Sequence, residues 1–104
     1  MSLRGLIVAS ALVVTFSGIA GTASAQGENF SRNTDRPGND IRSIPFRGDA
    51  EACLKLCFRE RECRAWTFVK AGFQGASPVC WIKHTIPRAI PNRCCTSGVI
   101  RRNL

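Results

Sequence analysis

This 104-residue chain contains six cysteines and one histidine, the residues that could take part in the widest range of chemistry. Cys53-x3-Cys57 together with the adjacent pair Cys94-Cys95 could supply four thiolates to a metal ion, and His84 could add an imidazole. Zinc sites usually present tight Cys-x2-4-Cys pairs and are typical of proteins in reducing compartments. A metal site is therefore a weaker interpretation of these cysteines than disulfide bonding.

Catalysis has little support in the same residues. The Cys-x-x-Cys motif of thioredoxin-like redox proteins is absent. Nucleophilic catalysis by cysteine would need a free thiol beside His84 and a third group to orient the imidazole, and the spacing provides neither. We therefore expect no catalytic residue, no metal and no cofactor, and we expect that the protein is not an enzyme.

The first 25 residues have the pattern of a cleaved signal peptide. Arg4 precedes an uncharged apolar run from Leu6 to Phe16, and Ala23-Ser24-Ala25 is an A-x-A cleavage site. The apolar run is shorter than the roughly 20 residues of a membrane-spanning helix, so no transmembrane segment is expected after cleavage. All six cysteines follow the cleavage site. We therefore expect a secreted or periplasmic protein with disulfide bonds.

The elements that position the cysteines predict a small α+β domain. Asp49 is a suitable N-cap, and helical spacing of apolar residues after it predicts a helix from Ala50 to about Arg59. Weak alternation predicts a short strand at 41–44, and an aromatic and β-branched run predicts a strand at 64–69. Further strands are predicted at 79–83 and at 95–100, the last weakened by Gly98. The segment 85–92 contains two prolines and is not expected to be a central strand. Residues 26–32 are predicted to be a flexible lead-in, within a polar, turn-rich stretch that ends near Asp40.

Two of the cysteines share one face of the predicted helix. A bond between Cys53 and Cys57 would be strained, because both side chains point the same way. Each should therefore bond to a partner outside the helix. Cys63 lies just past the end of the helix, and Cys80 lies on a strand that the helix can cover.

The chain resembles the PAN/apple domain family in several linked motifs. They are Cys53-x3-Cys57-x5-Cys63, the following Arg64-Ala65-Trp66-Thr67-Phe68, then Cys80-Trp81-Ile82-Lys83, and finally Ser97-Gly98. It is most similar to the short exported bacterial PAN-type domains, with the lead-in 33–38 and the ending 94–99, and the domain is assigned to 33–104. The resemblance implies a curved antiparallel sheet with one helix across it. It also implies the bonds Cys53–Cys80 and Cys57–Cys63, without the third bridge that ties the ends of full apple domains.

Cys94 and Cys95 remain, and three interpretations are open for them. Adjacent strand residues point to opposite faces, which would give one core thiol and one outward thiol. The two could instead form a vicinal disulfide, or one of them could bond to another chain. We favour the vicinal bond.

The charge of the chain suggests what it binds. Lys and Arg number 15 against 7 Asp and Glu, and no acid occurs after Glu62. The basic residues could simply form a solvated surface, or they could form a face for an anionic ligand. One of the two tryptophans should fill the core, whereas the other could stack on a sugar ring. The candidate ligand-binding residues are Arg64, Lys70, Lys83, His84, Arg88, Arg93 and Trp81.

Together these features predict an exported, non-enzymatic binding module that recognises a protein or an acidic carbohydrate. The alternatives are an assembly protein linked through Cys94 or Cys95, and a small exported inhibitor of a hydrolase. Nucleic acid is not expected as a partner of an exported protein. The expected state is a monomer or a disulfide-linked dimer.

Overall fold

The fold is taken from a computed structural model that describes residues 27–102 of the chain. The predicted signal peptide lies outside the described residues. The predicted α+β class is confirmed: one helix packs on a five-stranded antiparallel sheet, and a disulfide bond joins the helix to the sheet. In chain order the elements are β1 (Ser31–Asp35), β2 (Asp40–Pro45), α1 (Ala50–Arg59), β3 (Ala65–Val69), β4 (Val79–Lys83) and β5 (Ile90–Val99). The strand order across the sheet is β1-β5-β3-β4-β2.

Helix α1 begins and ends where the sequence predicts. The Asp49 side chain accepts a hydrogen bond of 2.9 Å from the backbone N–H of Ala52, which satisfies one of the free donors of the first turn. Glu51 lies in the first turn and Arg59 in the last, so both charges oppose the helix dipole. Cys53 and Cys57 are the buried residues of the helix, and they face the sheet.

Strand register decides which side chains lie on each face of the sheet. Thr67 of β3 lies opposite both Trp81 of β4 and Ser97 of β5. Because neighbouring residues of a strand face opposite sides, these three side chains share one face, and Trp66 and Ile82 share the other. The second face packs against α1. The first face lies away from the helix and is called the open face below.

The core between α1 and the sheet is built around disulfides and one aromatic side chain. Trp66 is completely buried and its ring centroid lies 5.7 Å from that of Phe30. Cys53 of α1 is bonded to Cys80 of β4, and the bonded pair Cys57 and Cys63 lies at the helix end. These are the two bonds that the resemblance implies. They attach the helix to the sheet and to the turn that leads into β3.

The structure differs from the sequence prediction at the two ends of the domain. Part of the predicted flexible lead-in is strand β1, which pairs with β5. Strand β5 begins at Ile90, five residues before the predicted start. Its early part, including Pro91, pairs with β1, and its pairing with β3 begins only at Cys95. The proline therefore lies where the strand has a single partner, which a strand can accommodate.

Arg102, the last described residue, closes the C-terminal end of α1. Its guanidinium donates hydrogen bonds of 2.8–3.0 Å to the carbonyl oxygens of Cys57, Phe58, Glu60 and Cys63. The last carbonyls of a helix lack partners within the helix and carry partial negative charge. Arg102 therefore satisfies several acceptors at once and joins the segment after β5 to the helix.

Replacing Arg102 with alanine is expected to lower the free energy of unfolding by about 2 kcal/mol, because charge-assisted hydrogen bonds to partly buried carbonyls are lost. Chemical denaturation of the oxidised protein measures this. Arg101→Ala is the matched control, since Arg101 forms an exposed ion pair with Glu28, and such pairs contribute little to stability. Equal effects of the two substitutions would show that Arg102 does not hold the helix end.

Candidate functional site

Two concave regions of the described chain can accept a ligand. The first, called the sheet-face pocket, is a cavity of about 380 Å³ on the open face. Its floor is formed by Thr67 and Val69 of β3 with Trp81 and Lys83 of β4. The second, called the basic cleft, is an open surface region lined by Arg61, Glu62, Arg64, His84 and Thr85.

The floor of the sheet-face pocket contains a polar group without a partner. Thr67 is 1% exposed, and its Oγ1 has no hydrogen-bond partner among the described residues. A buried hydroxyl without a partner costs free energy, and such groups are uncommon in native structures. Ser97, the neighbour of Thr67 on the same face, has a buried Oγ in the same condition. The centre of the open face is therefore polar and unsatisfied.

Lys83 lies in this pocket but its charge is already neutralised. The side chain is 3% exposed, and its ammonium group donates to the carboxylate of Asp40 and to the carbonyl oxygen of Gly38. The ammonium also lies 5.9 Å from the ring centroid of Trp81. Lys83 was predicted to present a charge to an anionic ligand. The structure instead places it in an ion pair that fastens the 38–40 turn to the sheet.

Trp81 forms an aromatic wall of the pocket, whereas Trp66 fills the core. The indole N–H of Trp81 donates a hydrogen bond of 2.8 Å to Oε1 of Gln74, and the ring is half-buried. Phe73, which precedes Gln74 in the loop between β3 and β4, also lines the pocket and is 51% exposed. The β3–β4 loop therefore brings an aromatic ring and an amide to the edge of the pocket.

Cys94 and Cys95 are bonded to each other and form another wall of the pocket. The carboxylate of Asp35, at the end of β1, has an oxygen within 4.8 Å of both sulfur atoms. The vicinal bond uses both thiols, so as they stand neither sulfur can ligate a metal or bond to another chain. It also places both sulfurs beside one pocket, although adjacent strand residues ordinarily face opposite sides.

The basic cleft differs from the sheet-face pocket in the exposure and pairing of its cations. Arg61 and Arg64 are exposed, and within residues 27–102 neither forms a salt bridge. His84 is exposed at the start of the loop after β4, and its backbone N–H donates to the carbonyl oxygen of Asn39. Glu62 is the one acid in the lining. The cleft therefore has more positive than negative groups and is open to solvent.

Other arginines are already engaged within the domain. Arg42 binds Glu60, and Arg101 binds Glu28, each at 2.7 Å. The hydrogen bond from Arg42 lowers the pKa of Glu60, and that from Arg101 lowers the pKa of Glu28. Burial lowers the pKa of Arg36, whose Nη1 donates to the carbonyl oxygen of Pro87. Two cations of the second half, Lys83 and Arg101, are thus paired with acids from the first half.

The structure separates the predicted ligand-binding residues into three groups. Trp81 and Lys83 line the sheet-face pocket, and Arg64 and His84 line the basic cleft. Three cations are exposed and line neither region, namely Lys70, Arg88 and Arg93. Sequence reasoning missed Arg61, Thr67 and Asp35. Because side chains alternate between the two faces of a sheet, pairing of β3 with β4 could have placed Thr67 on the same face as Trp81. The position of Asp35, in contrast, depends on a strand that was not predicted.

Comparison with known proteins supports the family resemblance over part of the chain. A search of curated proteins found no match. Within the described residues, no helix is long and apolar enough to span a membrane. Residues 34–83, from the end of β1 to the end of β4, match the family model of the PAN domain. Over this segment the chain is similar to PAN domains, which are generally non-catalytic modules that bind proteins or carbohydrates.

Proposed function

We propose that this chain is an exported binding module whose basic cleft holds an anionic group of a protein or carbohydrate partner. The observation that carries the proposal is the pair Arg61 and Arg64, which line one cleft beside His84 and have no carboxylate partner within residues 27–102. Guanidinium groups bind carboxylates, sulfates and phosphates in a planar, bidentate manner. The shared chemistry of the ligand is therefore an oxyanion.

Export is supported by the cysteine chemistry. All six cysteines are in disulfide bonds, and disulfides persist in oxidising compartments. Three disulfides in a chain similar to PAN domains are typical of extracellular proteins. Cleavage after Ala25 would leave the described domain with its cleft intact.

The proposal predicts an electrostatic interaction that depends on salt. Arg61 and Arg64 are exposed, so their attraction for an anion is screened over about 10 Å at 0.1 M salt. Binding should therefore weaken steeply as the salt concentration rises. An affinity that does not change with salt would contradict the electrostatic model.

A double substitution tests the cleft directly. Arg61→Ala with Arg64→Ala is expected to weaken binding of a size-defined heparin oligosaccharide or a polyglutamate peptide by at least about tenfold at low salt, because two charge-assisted contacts are lost. Isothermal titration calorimetry measures the affinity, and the two probes distinguish a glycan ligand from a protein ligand. Heparin that has been desulfated, N-acetylated and carboxyl-reduced serves as the uncharged control probe.

The matched control variant is Arg88→Ala with Arg93→Ala. It removes the same charge from exposed positions outside the cleft. We expect this variant to lose much less affinity than the cleft variant. Equal losses would show that net charge, and not the cleft, determines binding.

A further inference from the structure

We propose that the sheet-face pocket is a second binding site, for a neutral sugar ring, in which the buried hydroxyl of Thr67 bonds to the ligand. This inference does not depend on the basic cleft or on an anionic partner. It rests on the unsatisfied floor of the pocket, its aromatic wall and the balance of its charges.

Thr67 is the strongest sign that the pocket holds a ligand. Its Oγ1 is buried on the floor of the pocket and has no partner among the described residues. A hydroxyl can donate or accept, so a ligand hydroxyl above it could either accept its hydrogen or donate to its oxygen. The position at the centre of the sheet is fixed on both sides by pairing to β4 and β5, so the group is preorganised.

The rim offers further hydrogen-bonding groups around the same space. Gln74 uses Oε1 to accept from the Trp81 indole, and Asn92 uses Oδ1 to accept from the backbone N–H of Cys94. In each case the amide NH₂ group donates to no atom within residues 27–102, so it remains available for a ligand oxygen. Asp35 adds a carboxylate on the β1 side of the pocket. Convergent polar groups with an aromatic wall, in a cavity of about 380 Å³, fit a small polar ligand.

The charges of the pocket favour a neutral ligand over an anion. Asp35 and Asp40 contribute two carboxylates against the single ammonium of Lys83, so an anion would meet net negative charge. A cation would have to compete for the Trp81 ring with the ammonium of Lys83, which already lies 5.9 Å from the ring centroid. A neutral sugar ring fits these groups: its apolar face can pack on the ring of Trp81, and its hydroxyls can bond to the polar side chains around the pocket.

The vicinal disulfide gives the pocket a rigid wall. Cys94 and Cys95, neighbouring residues of β5, are bonded to each other and both line the cavity. Without the bond, alternation along the strand would turn one side chain to the other face. The sulfur atoms are polarizable and weakly hydrogen-bonding, so they suit the C–H surface of a sugar ring.

The test uses the two indole N–H signals of the folded protein in ¹H–¹⁵N NMR spectra. Glucose, galactose, mannose and N-acetylglucosamine are titrated, with glucuronic acid and glucosamine as charged controls. At least one neutral sugar should shift the Trp81 indole signal and the Thr67 backbone amide, with a millimolar Kd, and should leave the Trp66 indole signal unchanged. Trp81→Phe assigns the two indole signals.

Thr67→Val removes the hydroxyl and keeps the shape of the side chain. It is expected to weaken binding of that sugar by about 3- to 10-fold, the effect of losing one neutral hydrogen bond, without lowering stability. Thr96→Val is the matched control, since Thr96 is on the opposite face of the sheet.

Three results would overturn the proposal: no shift with any neutral sugar, larger shifts with glucosamine or glucuronic acid, or unchanged affinity in Thr67→Val. Because none of these variants alters Arg61 or Arg64, failure here is separate from failure of the basic cleft.

Discussion

Removing the bond between Cys53 and Cys80 is expected to lower the free energy of unfolding by about 3–4 kcal/mol. The bond closes a loop with a sequence separation of 27 residues, and the loop-entropy relation gives about 3.5 kcal/mol for that length. Both residues are fully buried, so replacing them with alanine also removes packing at the centre of the core. For a domain of this size the melting temperature should fall by roughly 10–25 °C.

The other two disulfides provide graded controls. Cys57 and Cys63 are separated by 6 residues, for which the same relation gives about 2 kcal/mol. Cys94 and Cys95 are adjacent, so their bond constrains almost no chain. Paired alanine variants of each bond, compared by calorimetry, should rank in the order of loop length. If the Cys94/Cys95 variant were the least stable, the vicinal bond would have a structural role beyond loop closure.

The same variants can show whether the vicinal bond serves stability or ligand binding. The variant without the vicinal bond is expected to remain folded, because α1 stays attached to the sheet through Cys53–Cys80 and Cys57–Cys63. Its sheet-face pocket, however, loses the rigid wall formed by the two sulfurs. Weaker sugar binding by a variant of nearly unchanged stability would assign the vicinal bond to the site.

Helix α1 and strands β3 and β4 could be predicted because local chemistry determines them. The N-cap at Asp49 and the helical spacing after it fix the start of α1. Aromatic and β-branched residues in two short runs fix β3 and β4. Strand β4 carries Trp81 and Lys83, and Arg64 directly precedes β3; all three were chosen as candidate site residues from the sequence.

Strand β1 could not be predicted, because its sequence Ser-Arg-Asn-Thr-Asp has no apolar alternation. It forms by backbone pairing with β5, more than fifty residues later in the chain, and Asn33 at positive φ marks a break in its register. Such long-range pairing leaves no local pattern in the sequence. The same pairing brings Asp35 to the vicinal disulfide, so the acid of the sheet-face pocket was also missed.

The charge prediction failed at Lys83 for a related reason. The sequence shows many cations and few acids in the second half of the chain, but it does not show which acids from the first half will meet them. Lys83 pairs with Asp40, which lies 43 positions earlier. Strand order places β2 beside β4, and this order was not available from spacing alone.

After the Cys53–Cys80 bond, Gly98 is the second place where a substitution should have a large effect on stability. It lies in β5 opposite Trp66, and the backbone of Asn29 passes directly over it. A methyl group at this position would lie 2.8 Å from Cζ2 of Trp66 and closer still to the carbonyl group of Asn29. Neither neighbour can yield easily: Trp66 is completely buried, and the Glu28 carbonyl is held by the N–H of Val99 at 3.0 Å.

Gly98→Ala is therefore expected to lower the free energy of unfolding by about 3 kcal/mol, at the upper end of the range for overpacked cores. Relief of the clash would move the 28–30 segment away from the sheet and separate Phe30 from Trp66, whose rings now lie 5.7 Å apart. Chemical denaturation measures the loss, and the Trp66 indole signal in NMR spectra reports the displacement. Gly27→Ala is the control, because a methyl group there meets only the movable side chain of Asn29 at 3.3 Å. If both variants were equally stable, the 28–30 segment would not be packed on β5, and its place over Gly98 in the structure would be wrong.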